Sequence, residues 1–247
     1  MDLNFLGSGL PLGNVILYAY KLSDFVGQRI VDILVLASIG VWTIMIAKHL
    51  ELRKAEKADH DFLRAFDRQD NPLEIFVRGP AHATSPMAKV YATACVAVKR
   101  EFEAQAHKQH RALDQIDLSQ ERLTALQIDA IRKAAECAAA DQIVLLEDQM
   151  ALLSSIYSMS PMLGLFGTVW GVMVAFEAMG TQGMANLSAV APGISSALLT
   201  TVVGLVVAIP SALGSNKLSE KIRFLSIQME NFTDKFATRL QQSFLYE

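Results

Sequence analysis

Apolar residues are distributed along this chain in two ways. Residues 30–47, 161–179 and 194–213 are nearly continuous apolar runs, broken by small or hydroxyl side chains, by Asp32 in the first and by Glu177 in the second. Each of the later runs is about 20 residues long, which at about 1.5 Å of rise per residue crosses a hydrocarbon layer about 30 Å thick. Three membrane-spanning helices are the expected consequence. Between the first two runs the pattern is that of charged helices, with breaks at Asn71-Pro72, Gly79-Pro80 and Ser85-Pro86. Residues 119–149 are rich in Ala, Leu, Gln and Glu and hold no Gly or Pro, which predicts a helix capped near Ser119 that runs straight into the second span. Its apolar positions, mostly Ala with interspersed Leu and Ile, suit close packing against another helix.

Of the 247 residues, 52% are hydrophobic and 19% are charged. The charge is placed unevenly, because residues 150–216 contain a single acidic or basic side chain, Glu177. The surface of a soluble domain is not built that way. The chain opens with Asp2 and lacks a basic segment followed by an apolar run and a small-residue cleavage site, so no cleavable signal peptide is expected. Lys48, Arg53, Lys54 and Lys57 follow the first span, and Lys217, Lys221 and Arg223 follow the third, whereas residues 180–193 carry no charge. Basic residues resist translocation, so the N-terminus is expected outside and the C-terminus in the cytoplasm.

The expected fold is therefore all-α, a polytopic membrane protein with three transmembrane helices and long cytoplasmic helical extensions. In order, the expected parts are an extracytoplasmic or interfacial segment (1–29), a first transmembrane helix (30–47) and a cytoplasmic helical region (48–149). A second transmembrane helix with its cytoplasmic approach (150–180), a short extracytoplasmic loop (181–193), a third transmembrane helix (194–214) and a cytoplasmic C-terminal helix (215–247) follow.

The second and third runs share a design. Gly164, Thr168, Gly171 and Ala175 fall at i, i+4, i+7 and i+11 and so lie on one helical face. Ala197, Thr201, Gly204, Ala208 and Ala212 repeat it, with Ser196 and Thr200 on an adjoining strip. Small residues let membrane helices approach closely, and Gly167 with Gly171 has the GxxxG spacing, so plain packing accounts for the glycines. For Thr168 and Thr201 spacing leaves two readings open: a hydroxyl bonded to the carbonyl one turn back, or a polar group lining a path.

The segment Ser160-Pro161-Met162-Leu163-Gly164-Leu165-Phe166-Gly167-Thr168-Val169-Trp170-Gly171 resembles the second-span signature of the MotA/TolQ/ExbB proton-channel family. Residues 190–205, from Val190-Ala191-Pro192-Gly193 through Thr200-Thr201 to Gly204-Leu205, and on through Ala208-Ile209-Pro210, resemble its third-span signature. The tail, Asn231-Phe232 through Phe236 to Gln242-Ser243-Phe244, is more similar to the TolQ branch than to ExbB. The resemblance implies an inner-membrane channel subunit of a proton-driven motor that performs no covalent chemistry and needs no cofactor. It implies a homo-oligomer, a pentamer, around the single transmembrane helices of a TolR/ExbD-like dimer whose membrane aspartate carries the proton, and a TolA/TonB-like transducer beyond. Thr168 and Thr201 become the polar lining beside that aspartate, with Thr200 and Ser196 next to them. Gly164, Gly167, Gly171, Ala197 and Gly204 become the packing positions of the pore. One departure is Ser196, where many TolQ and ExbB proteins carry glutamate, because serine supplies no titrating carboxylate.

Glu177 is a possible outer-mouth acid, although it lies about 9 residues beyond Thr168, or about 13 Å along a helix. Asp32 is near the outer end of its span, within pairing distance of Arg29. Enzymatic chemistry within the membrane would need a Ser/His pair, an aspartate pair or a histidine cluster inside the spans. His49, His60, His82, His107 and His110 all fall outside them. His107 and His110 have an i,i+3 spacing that suits a metal, but a solvated helix face explains them, and no metal site is assigned. Cys95 and Cys137 are far apart and read as reduced thiols. No phosphate-binding glycine loop occurs, and nothing suggests nucleic acid. Two rivals are a flagellar-type stator, which is expected to have four spans, and a passive membrane scaffold that conducts no ion.

Overall fold

The computed structural model describes residues 12–78, 84–108, 122–182 and 187–244. Gly79-Pro80, Ser119, His82 and His110 lie outside the described residues, as does the side chain of His107. The described chain forms α1 (Leu12–Leu22), α2 (Phe25–Asp67), α3 (Glu74–Arg78), α4 (Pro86–Lys108), α5 (Ala125–Leu146), α6 (Met150–Gln182) and α7 (Leu187–Phe244). Three of these, α2, α6 and α7, are long and apolar enough to cross a membrane. The protein is thus an all-α polytopic membrane protein.

The helices divide into two units, residues 1–47 with 149–217 and residues 48–148 with 218–247. In the first, the corner between α1 and α2 is closed by local hydrogen bonds. Asp24 Oδ1 accepts the Gly27 N–H at 3.1 Å and so caps α2, while Ser23 Oγ donates to Ala19 O at 3.0 Å. Further along α2, Ile30 and Leu34 are buried with Val207 of α7, and Leu163 of α6 packs against them. Met45 packs directly on Gly214. Outward-facing Leu36, Ile39, Phe166, Val169, Val206 and Ile209 remain exposed in the single chain, as suits a surface facing lipid or neighbouring subunits.

The second unit is a water-compatible helical bundle. Buried residues recur at Leu52, Ala55, Asp59, Phe62 and Phe66 on α2 and at Leu225, Met229, Phe232, Phe236, Leu240 and Phe244 on α7, the three-and-four spacing of one helical stripe. Phe66 is the hub of the aromatic core: its ring lies 5.1 Å from Phe232, 5.8 Å from Tyr91 and 6.3 Å from Phe62 and Phe236. The Arg239 guanidinium stacks over the same ring at 4.7 Å and donates to Phe66 O and Gln69 O, tying α7 to the end of α2 and the turn after it. Tyr91 of α4 donates its hydroxyl to Pro72 O and accepts the Phe76 N–H, anchoring α3.

Two expectations change. The straight helix from about residue 119 into the second span is interrupted: α5 begins after a Thr124/Gln127 capping box and ends at Leu146, and α6 restarts at Met150. Gln149 takes a φ of 66°, a left-handed conformation that costs a side-chain-bearing residue about 1–2 kcal/mol. No glycine or proline marks the break. Leu146 before it and Leu153 after it are both buried. The second change is at the other end, where α6 reaches Gln182 and α7 begins at Leu187, so most of the expected 181–193 loop is helix. Pro192 and Pro210 are both carried inside α7, and the third span and the C-terminal helix are one element.

Because Phe66 contacts Phe62, Tyr91, Phe232 and Phe236, Phe66→Ala is expected to reduce unfolding free energy by about 3–5 kcal/mol. Thermal unfolding of the purified chain in detergent measures it. Phe66→Leu is expected to lose less.

Candidate functional site

The two small-residue stripes face each other. A Cβ placed on Gly171 would lie 2.7 Å from Ala197 Cβ, one on Gly167 2.6 Å from Thr200 Oγ1, and one on Gly164 2.8 Å from Thr200 O. A Cβ on Gly204 would lie 2.7 Å from Ser160 O, and one on Gly193 3.0 Å from Ala175 Cβ. Contacts under 3 Å at the first four positions leave room for hydrogen only, and most of what stands in the way is backbone or a short rigid side chain. The antiparallel order, Ser160 to Gly204, Gly164 to Thr200, Gly171 to Ala197 and Ala175 to Gly193, is a single uninterrupted seam.

This close approach assembles a cluster of hydroxyls around one carbonyl. Gly164 O accepts from Thr168 Oγ1 at 3.1 Å, Thr200 Oγ1 at 2.9 Å and Thr201 Oγ1 at 3.1 Å. Ala197 O is an alternative acceptor for Thr200 at 2.7 Å and Thr168 at 3.3 Å. Thr168 and Thr201 also bond directly to each other, and either can donate. Each threonine has one proton to give and room to accept, so the network has more good acceptors than protons. Two arrangements of opposite polarity follow: Thr168 donating to Thr201 and Thr201 to Gly164 O, or Thr201 donating to Thr168 and Thr168 to a carbonyl. A hydroxyl pair with both polarities available can solvate a nearby charge or pass a proton without moving the backbone.

The remaining expected site residues are separated by their burial. Thr168 and Thr201 are half-buried and reach the outer surface of the seam, whereas Thr200 and Ser196 are 1% and 5% exposed. Ser196 Oγ donates to Gly193 O at 2.9 Å, a bond that closes on its own helix. Glu177 is exposed on α6 and has no place in the threonine cluster. Asp32 accepts from Tyr20 Oη at 2.8 Å and pairs with Arg29 at 3.4 Å. Cys95 is buried, and burial pushes its thiol up to about 12, which keeps it protonated and unreactive. Cys137 is free and exposed.

One link had no counterpart in the pattern reading. Trp170 Nε1 donates to Asp24 Oδ2 at 2.7 Å, across 146 residues, while the other oxygen of Asp24 caps α2. Asp24 before an apolar run is a recognisable cap signal, but nothing local connects it with Trp170. The bond fixes the first span to α6 two residues from Thr168.

Gly164→Ala forces a methyl group against Thr200 O and the Thr201 Cα, and is expected to destabilise the pairing of α6 with α7 by about 1–3 kcal/mol. Gly40, with no atom within 4 Å of where its Cβ would stand, is expected to tolerate the same change. Thermal stability of the two purified variants in detergent distinguishes them.

Residues 97–231 match the model of the MotA/TolQ/ExbB proton channel family. The chain is 31% identical to the Tol-Pal system protein TolQ of Haemophilus influenzae over 220 residues, 89% of this chain and 91% of the relative. It is 31% identical to the biopolymer transport protein ExbB of Pseudomonas putida over 215 residues, 86% of this chain and 59% of that relative. Over a 70-residue stretch, 28% of this chain and 29% of the relative, identity to ExbB of Salmonella typhimurium rises to 47%. With a three-span helical architecture and a family match over more than half its length, the chain belongs to the MotA/TolQ/ExbB proton channel family.

Proposed function

We propose that this chain is the channel-forming subunit of a proton-motive-force-driven motor of the inner membrane, of the Tol-Pal or TonB-energising type. The observation that carries this reading is the Thr168–Thr201 pair with its surplus of carbonyl acceptors, near the middle of two apolar runs. A hydroxyl placed in hydrocarbon purely for packing needs one acceptor, and its own helix supplies it. Thr201 reaches across the seam to Gly164 O, Thr168 reaches across it to Ala197 O, and the two bond each other, an arrangement suited to stabilising charge where charge is otherwise costly.

Neither threonine ionises at ordinary pH, and Ser196 supplies no carboxylate. The proton-carrying group therefore comes from a partner. A TolR/ExbD-like dimer with a membrane aspartate fits that need, enclosed by several copies of this chain, five by family resemblance. The exposed apolar faces of α6 and α7 give the area for such neighbours and for lipid. The basic residues flanking the first and third spans favour an outside N-terminus and a cytoplasmic C-terminus. Energy would then pass from the partner dimer to a TolA/TonB-like transducer.

Thr201→Val keeps side-chain volume and removes the hydroxyl. Loss of a charge-assisted bond, about 1.5–3 kcal/mol, is expected to lower proton-driven output about ten- to hundredfold while the complex with the partner still co-purifies. Output is read from envelope integrity or transducer activity in cells carrying the variant as their sole copy. Normal output from a fully assembled variant would remove Thr201 from the pathway.

A further inference from the structure

Outside the threonine cluster, one buried carboxyl group stands among the described residues of the polar unit. Asp59 lies on the charged half of α2 and is 1% exposed. Its Oδ1 accepts two bonds from the start of α4, Ser85 Oγ at 2.5 Å and the Met87 N–H at 3.0 Å. Ser85 Oγ in turn accepts the Ala88 N–H at 3.0 Å. Asp59 and Ser85 together therefore satisfy the free amides of the first turn of α4, and hold that turn on α2. Asp59 Oδ2 is shielded from solvent and has no hydrogen-bond partner.

Opposing effects meet on this group. A helix N-terminus and a short serine bond both favour the carboxylate. A carboxylate, however, offers about four acceptor sites, and the whole of Oδ2 faces protein with no donor. Burial wins and pushes the Asp59 carboxyl above the ordinary carboxylate value, with the Ser85 and Met87 bonds pulling the other way. A cavity of about 370 Å³ adjoins it, lined from α2 by Glu56, Lys57 and His60, from α4 by Met87, and from α7 by Phe224 and Gln228. Glu56 is paired with Lys221 of α7. None of these groups bonds Asp59 Oδ2, and neither α4 nor α7 lines the cavity with a titratable side chain.

We propose that Asp59 is a proton-binding site of the polar unit, whose neutral form holds the first turn of α4 against α2 and whose ionisation opens that contact to water. The folded state holds this proton more tightly than the opened chain does. Its stabilising contribution is therefore complete below the ordinary carboxylate value, about 4, and is lost as pH rises through the raised value of the folded state. This is opposite to a carboxylate in a salt bridge, which destabilises on acidification.

Hydrogen exchange of the full chain in lipid nanodiscs, followed by mass spectrometry and corrected for the intrinsic pH dependence of exchange, tests it. The opening equilibrium of amides at residues 87–90 is expected to rise with pH, by up to about tenfold per pH unit inside that window, and then to level off. Asp59→Asn keeps an oxygen for both bonds but cannot ionise, so its opening is expected to be independent of pH. Asp59→Ala loses the cap and is expected to open more at every pH, without a slope. His60→Gln controls for the imidazole on the same cavity and is expected to keep the wild-type slope. An infrared difference spectrum of the wild type between low and high pH is expected to show a carboxylic-acid carbonyl band that Asp59→Asn lacks, whether or not the variant alters α4. A flat wild-type profile, an unchanged slope in Asp59→Asn, a slope abolished by His60→Gln, or no such band would each overturn the proposal.

Discussion

Contact between the backbones of α6 and α7 is the constraint on which the membrane unit depends. In hydrocarbon, apolar side chains gain nothing by leaving lipid for each other, so helices associate through close packing and hydrogen bonds. Gly164, Gly167, Gly171 and Gly204 make that packing possible, because each occupies a place where a Cβ would meet the opposite helix at under 3 Å. The same proximity exposes Gly164 O to hydroxyls of the other helix. With side chains in place of these glycines the helices would stand further apart and the three threonines would each fall back on their own helix. Packing and polar chemistry here are one feature, and the first span rests on it through Ile30, Leu34 and Val207.

The polar unit solves a different problem, since water supplies the driving force that lipid withholds. An aromatic core of Phe62, Phe66, Tyr91, Phe232 and Phe236 gathers α2, α4 and α7, and Arg239 and Tyr91 supply the helix-end and turn carbonyls with donors. Its buried polar groups are treated unequally. Tyr91 both donates and accepts, whereas Asp59 has one oxygen with two partners and one with none. The membrane threonines have the reverse surplus, with more acceptors than protons. A group with too many partners can switch among them, and a group with too few responds to protonation.

As a component of a proton channel, the chain provides hydroxyls and carbonyls at mid-membrane but no carboxylate beside them. Hydroxyls stabilise or relay a charge that another group carries. Glu177 and Asp32 lie elsewhere, one exposed on α6 and the other bonded to Tyr20 and Arg29. On the proposed reading, a group from outside the chain completes the site.

The three spans, their order and the pairing faces of α6 and α7 were legible in the sequence because they follow from short-range rules. A run of about 20 apolar residues has the length of a bilayer, and small residues at i, i+4, i+7 fall on one face of any helix. The same spacing left two readings open for Thr168 and Thr201, and only the family resemblance gave them a role. Their separation from Thr200 and Ser196 could not be read from it, because burial depends on which neighbour covers each side of the seam. The break at Gln149 has no glycine or proline to signal it. Pro192 and Pro210, which normally end helices, are carried within α7. Asp24 with Trp170 and Asp59 with Ser85 pair residues far apart in the chain, and no periodicity encodes a partner at such distance. The sequence by itself determined which segments enter the membrane and which faces are smooth enough to meet; only the tertiary structure decided which polar atoms those meetings satisfy, because hydrogen bonding is set to tenths of an ångström by packing that no single segment contains.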